Sequence, residues 1–153
     1  MKFFILLFVF VMNVVVFAEK VEVSATIVKA DNLKKKVYFS GNVKIKKSED
    51  MIFANEVKVY FNDQNETEKY EAKGAVKFQF KNKKYFYKGQ ANNVVYYPLK
   101  SLYILTGKAK IEDKITKRNL EGEHIKLNMI TGKVTIKGTK RKPVKFIFDI
   151  GGK

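Results

Sequence analysis

Apolar and polar residues alternate by two along most of this chain after Ala18, and this period constrains the fold more than any other feature. Val43 and Ile45 alternate with lysines, and Val76 and Phe78 do the same. A β-strand places successive side chains on opposite faces, so each segment would bury one face and leave the other in water. We therefore expect an all-β protein of antiparallel strands.

Glycines mark a longer repeat. The segment GNVKI begins at Gly41, GAVKF at Gly74 and GKAKI at Gly107, each interval being 33 residues, and Gly138 is a looser fourth mark. A glycine at a fixed place in a strand supplies a bulge, a positive φ or a close backbone approach. The repeat predicts about four stacked hairpin-like units, each of two strands and two turns.

A second set of similar segments lies between the glycine marks, each beginning with a small residue followed by a polar one. These starts are Ala30-Asp31, Ala54-Asn55, Ala91-Asn92 and, more loosely, Gly122-Glu123. Polar clusters predict short turns at 34–36, 47–50, 62–68, 81–84, 98–101, 113–118 and 131–132.

The N-terminus has the features of an export signal. Lys2 precedes an apolar run that only Asn13 interrupts, and the small residue Ala18 ends it. A membrane-spanning helix usually needs about 20 apolar residues, and this run is shorter. We expect a cleaved signal peptide at 1–18, a β domain at 19–150 and a short tail at 151–153. A retained membrane anchor is the alternative.

Composition narrows the possible partners. The chain has no cysteine, which excludes a disulfide framework and a cysteine zinc site. Its net charge of +16 favours anionic partners such as nucleic acid, anionic lipid or acidic polysaccharide. Export makes nucleic acid the least available of these partners.

No catalytic constellation is recognisable in the sequence. His124 is the only histidine, and the chain has no phosphate loop or nucleophile elbow, so neither a triad nor a zinc site can be assembled. The acid pair Glu112 and Asp113 lies in a predicted lysine-rich turn. The sequence therefore predicts a protein that is not an enzyme and needs no cofactor.

The repeated small-Asp/Asn starts and Gly-x-Val/Ala continuations, in an exported chain without cysteine, resemble the OstA-type domain of the LptA family from Ser24 to Gly138. The resemblance implies an open, twisted β-jellyroll with an apolar groove that shields the acyl chains of lipopolysaccharide or lipooligosaccharide. It implies a periplasmic bridge between inner and outer membranes, with LptC-like and LptD-like subunits as partners. Two departures are the single Asp after Ala, at Asp31, and the high lysine content.

On that fold, the apolar positions of the alternating strands would line the groove, although an ordinary β-sandwich would pack the same residues as its core. Lys44, Lys77 and Lys110 lie on the opposite face, where they could meet head-group phosphates or simply keep the sheet soluble. The predicted groove residues are Val43, Ile45, Val57, Val59, Val76, Phe78, Phe80, Ile111, Ile125, Leu127, Val134 and Ile136.

Both ends of the domain read as edge strands. Unpaired edges at opposite ends of a sheet permit β-augmentation, so head-to-tail self-association is expected. Two other functions stay open: an LptC-like subunit that keeps its N-terminal anchor and, less favoured, a basic β-sheet that stacks nucleic-acid bases. The predicted edge residues are Val21, Val23 and Ala25 at one end and Val144, Phe146 and Phe148 at the other.

Overall fold

The computed structural model describes residues 20–150, so the predicted signal peptide at 1–18 and the tail at 151–153 lie outside the described residues. The described residues form ten β-strands and one 3-10 turn, Pro98–Lys100. The strands are β1 Val21–Ser24, β2 Ile27–Asp31, β3 Lys36–Lys47, β4 Asp50–Phe61, β5 Thr67–Lys81, β6 Phe86–Tyr97, β7 Leu102–Asp113, β8 Arg118–Asn128, β9 Val134–Lys137 and β10 Lys145–Ile147.

All ten strands belong to one antiparallel sheet in which the long strands β3 to β8 each pair with the next along the chain. At one edge β1 and β2 pair with successive parts of β3, and at the other β9 and β10 pair with β8. The two edges do not pair with each other, so the sheet is open. The prediction of an all-β, open antiparallel architecture is confirmed.

A bulge interrupts each strand that carries a repeat glycine. The pairing register shifts at Gly41, Gly74 and Gly107, between Ser40 and Val43, Lys73 and Val76, and Thr106 and Ala109 respectively. The three glycines have φ of 85°, 86° and 84°, a region that L side chains rarely adopt. The predicted role of these glycines in bending the strands is confirmed.

Each repeat glycine packs under a polar side chain of the adjacent chain segment. Asn55 covers Gly74 and Asn92 covers Gly107, and a Cβ at either glycine would lie 2.9 Å from the Cβ of its asparagine. The corresponding partner of Gly41 is Thr26. The expected equivalence of Ala30-Asp31 with the asparagine segments is therefore wrong, because Ala30-Asp31 ends β2 while Thr26 occupies the asparagine position.

Two expectations about the C-terminal region also need correction. Gly138 lies in the connection between β9 and β10, where an added Cβ would meet the Lys142 carbonyl oxygen at 2.6 Å, so it is a loop glycine and not a fourth bulge. The alternating run from Val144 to Ile150 forms a strand only over Lys145–Ile147. The alternation of apolar side chains extends beyond the strand, whereas the strand itself ends where its backbone pairing with β8 ends.

The row of bulges divides the sheet into two halves that face each other. Half-sheet A comprises β1, β10 and residues 43–47, 50–54, 76–81, 86–91, 109–113 and 118–122, and half-sheet B comprises β2, β9 and the remaining parts of β3 to β8. Phe80 of half-sheet A stacks on Tyr103 of half-sheet B, with ring centroids 4.3 Å apart. These positions are distant along the ladder, so the contact requires the sheet to fold over the bulges. One core cluster contains buried residues from both halves.

Candidate functional site: an apolar interior between two half-sheets

The interior face is built from rows of side chains that face one another across successive strands. Paired residues of antiparallel strands point to the same side, so the row that starts at Val23 continues through every strand of half-sheet A to Phe146. An equivalent row in half-sheet B runs from Val28 to Ile136. The apolar face is therefore continuous from edge to edge.

Most of the predicted groove residues lie on this interior face. Val134 and Ile136 are less covered than the others because both belong to the edge strand β9: Val134 is 37% exposed and Ile136 is half-buried. Burying one such aliphatic or aromatic side chain is worth about 1.5–3 kcal/mol. The buried members are Val43, Ile45, Val57, Val59, Val76, Phe78, Phe80, Ile111, Ile125 and Leu127.

A cavity of about 420 Å³ lies between the two half-sheets. Half-sheet A contributes Ile45, Ile52 and Phe80 to its wall, and the turns after β6 and β8 contribute Leu99 and Met129. Four tyrosines complete the lining: Tyr70, Tyr85, Tyr96 and Tyr103. The site is thus mostly apolar, with hydroxyl groups at the ends of its rings.

Three of these tyrosines, Tyr70, Tyr96 and Tyr103, form one stacked series, and Tyr85 stacks on Tyr87 instead. The ring centroids of Tyr70 and Tyr96 are 6.0 Å apart, and those of Tyr96 and Tyr103 are 4.2 Å apart. Burial is the main cause that raises the pKa of Tyr103 and of Tyr96 above the ordinary tyrosine value. For Tyr85, burial and then the nearby charge of Asp50 raise the pKa. Tyr85, Tyr96 and Tyr103 are therefore neutral throughout the physiological pH range.

Charged residues stand at the rim of the interior. Lys47 and Asp50, which flank the turn between β3 and β4, both line the cavity, and Asp50 Oδ1 accepts a hydrogen bond from the Lys81 backbone N–H at 2.8 Å. On the far side of half-sheet A, Arg118 forms an ion pair with Asp113 at 3.7 Å. The site can thus hold an apolar group inside and present charges to a polar group at its mouth.

The predicted head-group lysines are on the outer face. Lys44, Lys77 and Lys110 are all exposed and point away from the cavity. Lys110 pairs with Glu121 at 3.2 Å across β7 and β8. The fold therefore does not bring these three lysines together with the apolar interior.

The predicted edge residues lie at both ends of the sheet. Val21 is 43% exposed and Phe146 is 50% exposed, and each belongs to a strand that pairs on one side within the described residues. Val23 and Ala25 are half-buried, with Ala25 in the break between β1 and β2. Val144 and Phe148 flank β10 and are 39% and 54% exposed.

The tyrosines that line the cavity were not among the predicted site residues. Tyr70, Tyr96 and Tyr103 occupy one cross-strand row with Val59 and Leu127, which were predicted. Extending the alternation from Val94 to Tyr96 and from Leu105 to Tyr103 would have placed both tyrosines on the interior face. Alternation does not show which interior positions border a cavity, because that depends on how the half-sheets approach each other.

No metal or membrane feature was found in the part of the chain that the structure describes. Residues 20–150 contain no group of three or more His, Asp or Glu residues that could hold a metal ion. No helix in the same range is long and apolar enough to cross a bilayer. His124 lies in β8 on the outer face, with Nδ1 3.4 Å from the Thr106 hydroxyl.

An open antiparallel sheet, folded over an apolar cavity and ending in two edge strands, defines an open β-jellyroll. A family model described as LptA/(LptD N-terminal domain) LPS transport protein matches residues 22–133. The chain belongs to this family, whose members are transport and bridge proteins rather than enzymes. Membership gives the chain a role in lipopolysaccharide transport.

Comparison with solved structures supports the fold. The crystal structure of LptH, described as the LptA homologous periplasmic component of the conserved lipopolysaccharide transport device from Pseudomonas aeruginosa, superposes with a TM-score of 0.77. The two chains are 15% identical, and the match covers 86% of this chain and 96% of LptH. At this identity the likeness shows a shared fold. A comparison with curated proteins gives no match.

Proposed function

We propose that this protein binds lipopolysaccharide or lipooligosaccharide, with the acyl chains between the half-sheets, and carries it across the periplasm without catalysis. The observation that carries the proposal is the continuous apolar interior, which opens into the tyrosine-lined cavity. Each methylene taken from water is worth about 0.8 kcal/mol, so partial shielding of several acyl chains holds a lipid firmly. A lining with few specific polar contacts lets that lipid slide onward.

The edges support a bridge made of several protomers. The sheet order has eight positions from β1 to β10, and neighbouring strands are antiparallel, so the two edges run in opposite directions. An edge β1 of one protomer can therefore pair antiparallel with β10 of the next. Val23 and Phe146 end the same interior row, so such pairing would continue the apolar face from protomer to protomer.

The same edge pairing would join the bridge to its partners. An LptC-like inner-membrane subunit and an LptD-like outer-membrane subunit would each present a similar edge to one end of the bridge. The exported form would begin at Glu19 and act in the periplasm. Because the interior is mostly apolar, we propose that the protein carries its lipid unchanged.

A pair of adjacent residues tests lipid binding. Met129 lines the cavity, whereas Ile130 is 73% exposed and lies outside it. Met129→Asp places a charge against the acyl chains and should weaken lipopolysaccharide binding about ten-fold or more, because a charge loses its hydration there. Ile130→Asp adds the same charge and should change binding less than about two-fold. Calorimetric titration measures both, and equal effects of the two variants would contradict the proposal.

A further inference from the structure

The outer face of half-sheet A carries a row of lysines that the interior site does not use. Lys44 faces Phe53 across β3 and β4, Phe53 faces Lys77, Lys77 faces Gln90, and Gln90 faces Lys110. One repeat of the sequence spans two strands, so a lysine recurs at the same position on every second strand. Successive lysines of the row are therefore about 10 Å apart, twice the spacing between strands. We call this set of five residues the outer row.

An aromatic ring is exposed in the middle of the outer row. Phe53 points away from the core, and its side chain is 43% exposed. The Lys44 ammonium nitrogen lies 5.7 Å from its ring centroid. The ring borders a shallow depression of about 390 Å³ that Lys77, Gln79 and Gln90 also line. Gln79 donates its amide N–H to the Glu49 carbonyl oxygen at 3.1 Å, which fixes the orientation of that amide.

The positive charge of the outer row is only partly compensated. Within residues 20–150, no carboxylate oxygen lies within 4.0 Å of the ammonium nitrogen of Lys44 or Lys77. On the outer face of half-sheet B, Glu71 lies opposite Lys58 and forms ion pairs with Lys69 at 3.8 Å and Lys73 at 3.5 Å. What distinguishes the outer row is the exposed Phe53 ring between its two uncompensated lysines, Lys44 and Lys77.

We propose that the outer row binds an extended anionic polysaccharide, with one sugar ring on Phe53 and its carboxylate or phosphate groups on Lys44 and Lys77. Lysine supplies a point charge for such groups, and the glutamine amides offer donors and acceptors to hydroxyl groups. Charges about 10 Å apart suit a polymer that carries one anion per disaccharide. The saccharide is free or belongs to a glycolipid, and this site lies on the face opposite the lipid cavity.

Nucleic acid fits the outer row less well. Proteins that bind single strands without sequence preference stack successive bases on several aromatic rings, whereas this row offers one. Each strand of duplex DNA carries one phosphate per about 3.4 Å of helix axis, a denser spacing than that of the lysines of the row. Binding to a bilayer surface would require more exposed apolar side chains than Phe53 alone, because such binding depends on the apolar area that enters the membrane.

The test uses the full exported chain and hyaluronan oligosaccharides, which have a carboxylate on every second sugar and no acyl chain. The double variant K44Q/K77Q should weaken binding about ten-fold, and Phe53→Ala about five-fold without a change in net charge. The matched control K58Q/K126Q removes the same charge from the outer face of half-sheet B and should change affinity less than about two-fold. Thermal unfolding of each variant checks that the fold is kept.

Further arms separate the possible ligands. Neutral chitin oligosaccharides should bind weakly, and the acyl-free saccharide part of lipopolysaccharide should compete with hyaluronan if the natural source is the glycolipid. An equal loss in K58Q/K126Q, or no loss in Phe53→Ala, would overturn the proposal. The proposal would also be overturned if oligothymidylate bound as tightly as hyaluronan and depended on Phe53 to the same extent. Failure of the parent protein to bind hyaluronan would overturn it as well. These arms contain no lipid, so they fail or succeed independently of the lipid cavity.

Discussion

The repeat glycines act through the backbone. Gly74 combines a φ of 86° with an overlying Asn55, so a side chain there would be strained and would also clash. Gly132 has a φ of 73° but no atom within 4 Å of an added Cβ. The two positions therefore separate the cost of the backbone conformation from the cost of the contact.

Substitution of these two glycines should give different losses of stability. Gly74→Ala should lower the free energy of unfolding by about 2–3 kcal/mol, since it adds a packing clash to the positive φ. Gly132→Ala should cost about 1 kcal/mol from the conformation alone. Urea unfolding followed by circular dichroism measures both values. Equal losses would show that Asn55 moves aside freely and that the contact with Gly74 does not matter.

The buried tyrosines predict how stability depends on pH. Burial is the first cause that raises the pKa of Tyr87, Tyr96 and Tyr103, whereas a tyrosine in the unfolded chain ionises near pH 10. The folded state thus keeps protons that the unfolded state releases. Stability should be complete below about pH 10 and should fall as the pH rises above it.

Unfolding by urea between about pH 8 and pH 11 tests this expectation. Tyr103→Phe removes one of the phenols whose pKa burial raises, so it should reduce the loss of stability in the alkaline range. The difference between the pH profiles of the two proteins isolates the contribution of Tyr103. A parent and variant with identical pH profiles would contradict the assignment.

At the level of the strands, the sequence predicted most of the fold because its signals are local. Alternation around Val43 and Val76 marked the strands, and the glycine interval marked their bends. The placement of Ala30-Asp31 was wrong because pairing with β3, rather than a shared dipeptide, decides which residue covers Gly41. The tyrosines that line the cavity were missed because the residues that border it depend on how the two half-sheets approach each other, which no single strand shows.

The edge strands predict a ladder of protomers. The chain has no native cysteine, so Val23→Cys combined with Phe146→Cys gives a single defined pair. If β1 of one protomer pairs with β10 of the next in the register of the interior row, oxidation should give disulfide-linked species beyond the dimer. Denaturing electrophoresis without reductant would display them.

Two controls define this experiment. Val23→Cys with Ile130→Cys places the second thiol in an exposed turn and should not produce a ladder. Deletion of residues 144–150 removes β10 from the Val23→Cys protein and should leave no chain longer than a dimer. If the protein with both Val23→Cys and Phe146→Cys gave only monomers at high concentration, head-to-tail assembly would be contradicted.

On the scale of the whole molecule, the two faces of one folded sheet differ in chemical character. The interior face is apolar from Val23 to Phe146 and encloses the tyrosine-lined cavity, and the outer face carries the lysines. Family membership gives the chain a role in lipopolysaccharide transport, and the apolar interior is where we propose that the lipid lies. The central claim is that acyl chains occupy the space between the half-sheets.

Photo-crosslinking at neighbouring positions tests that claim most directly. Tyr96 lines the cavity, and Val95, the preceding residue, points to the outer face of half-sheet B. With a photoreactive amino acid at each position in turn, irradiation in the presence of lipopolysaccharide should label the protein at position 96 and not at position 95. Equal labelling at both positions, or labelling at position 95 alone, would contradict acyl-chain binding between the half-sheets.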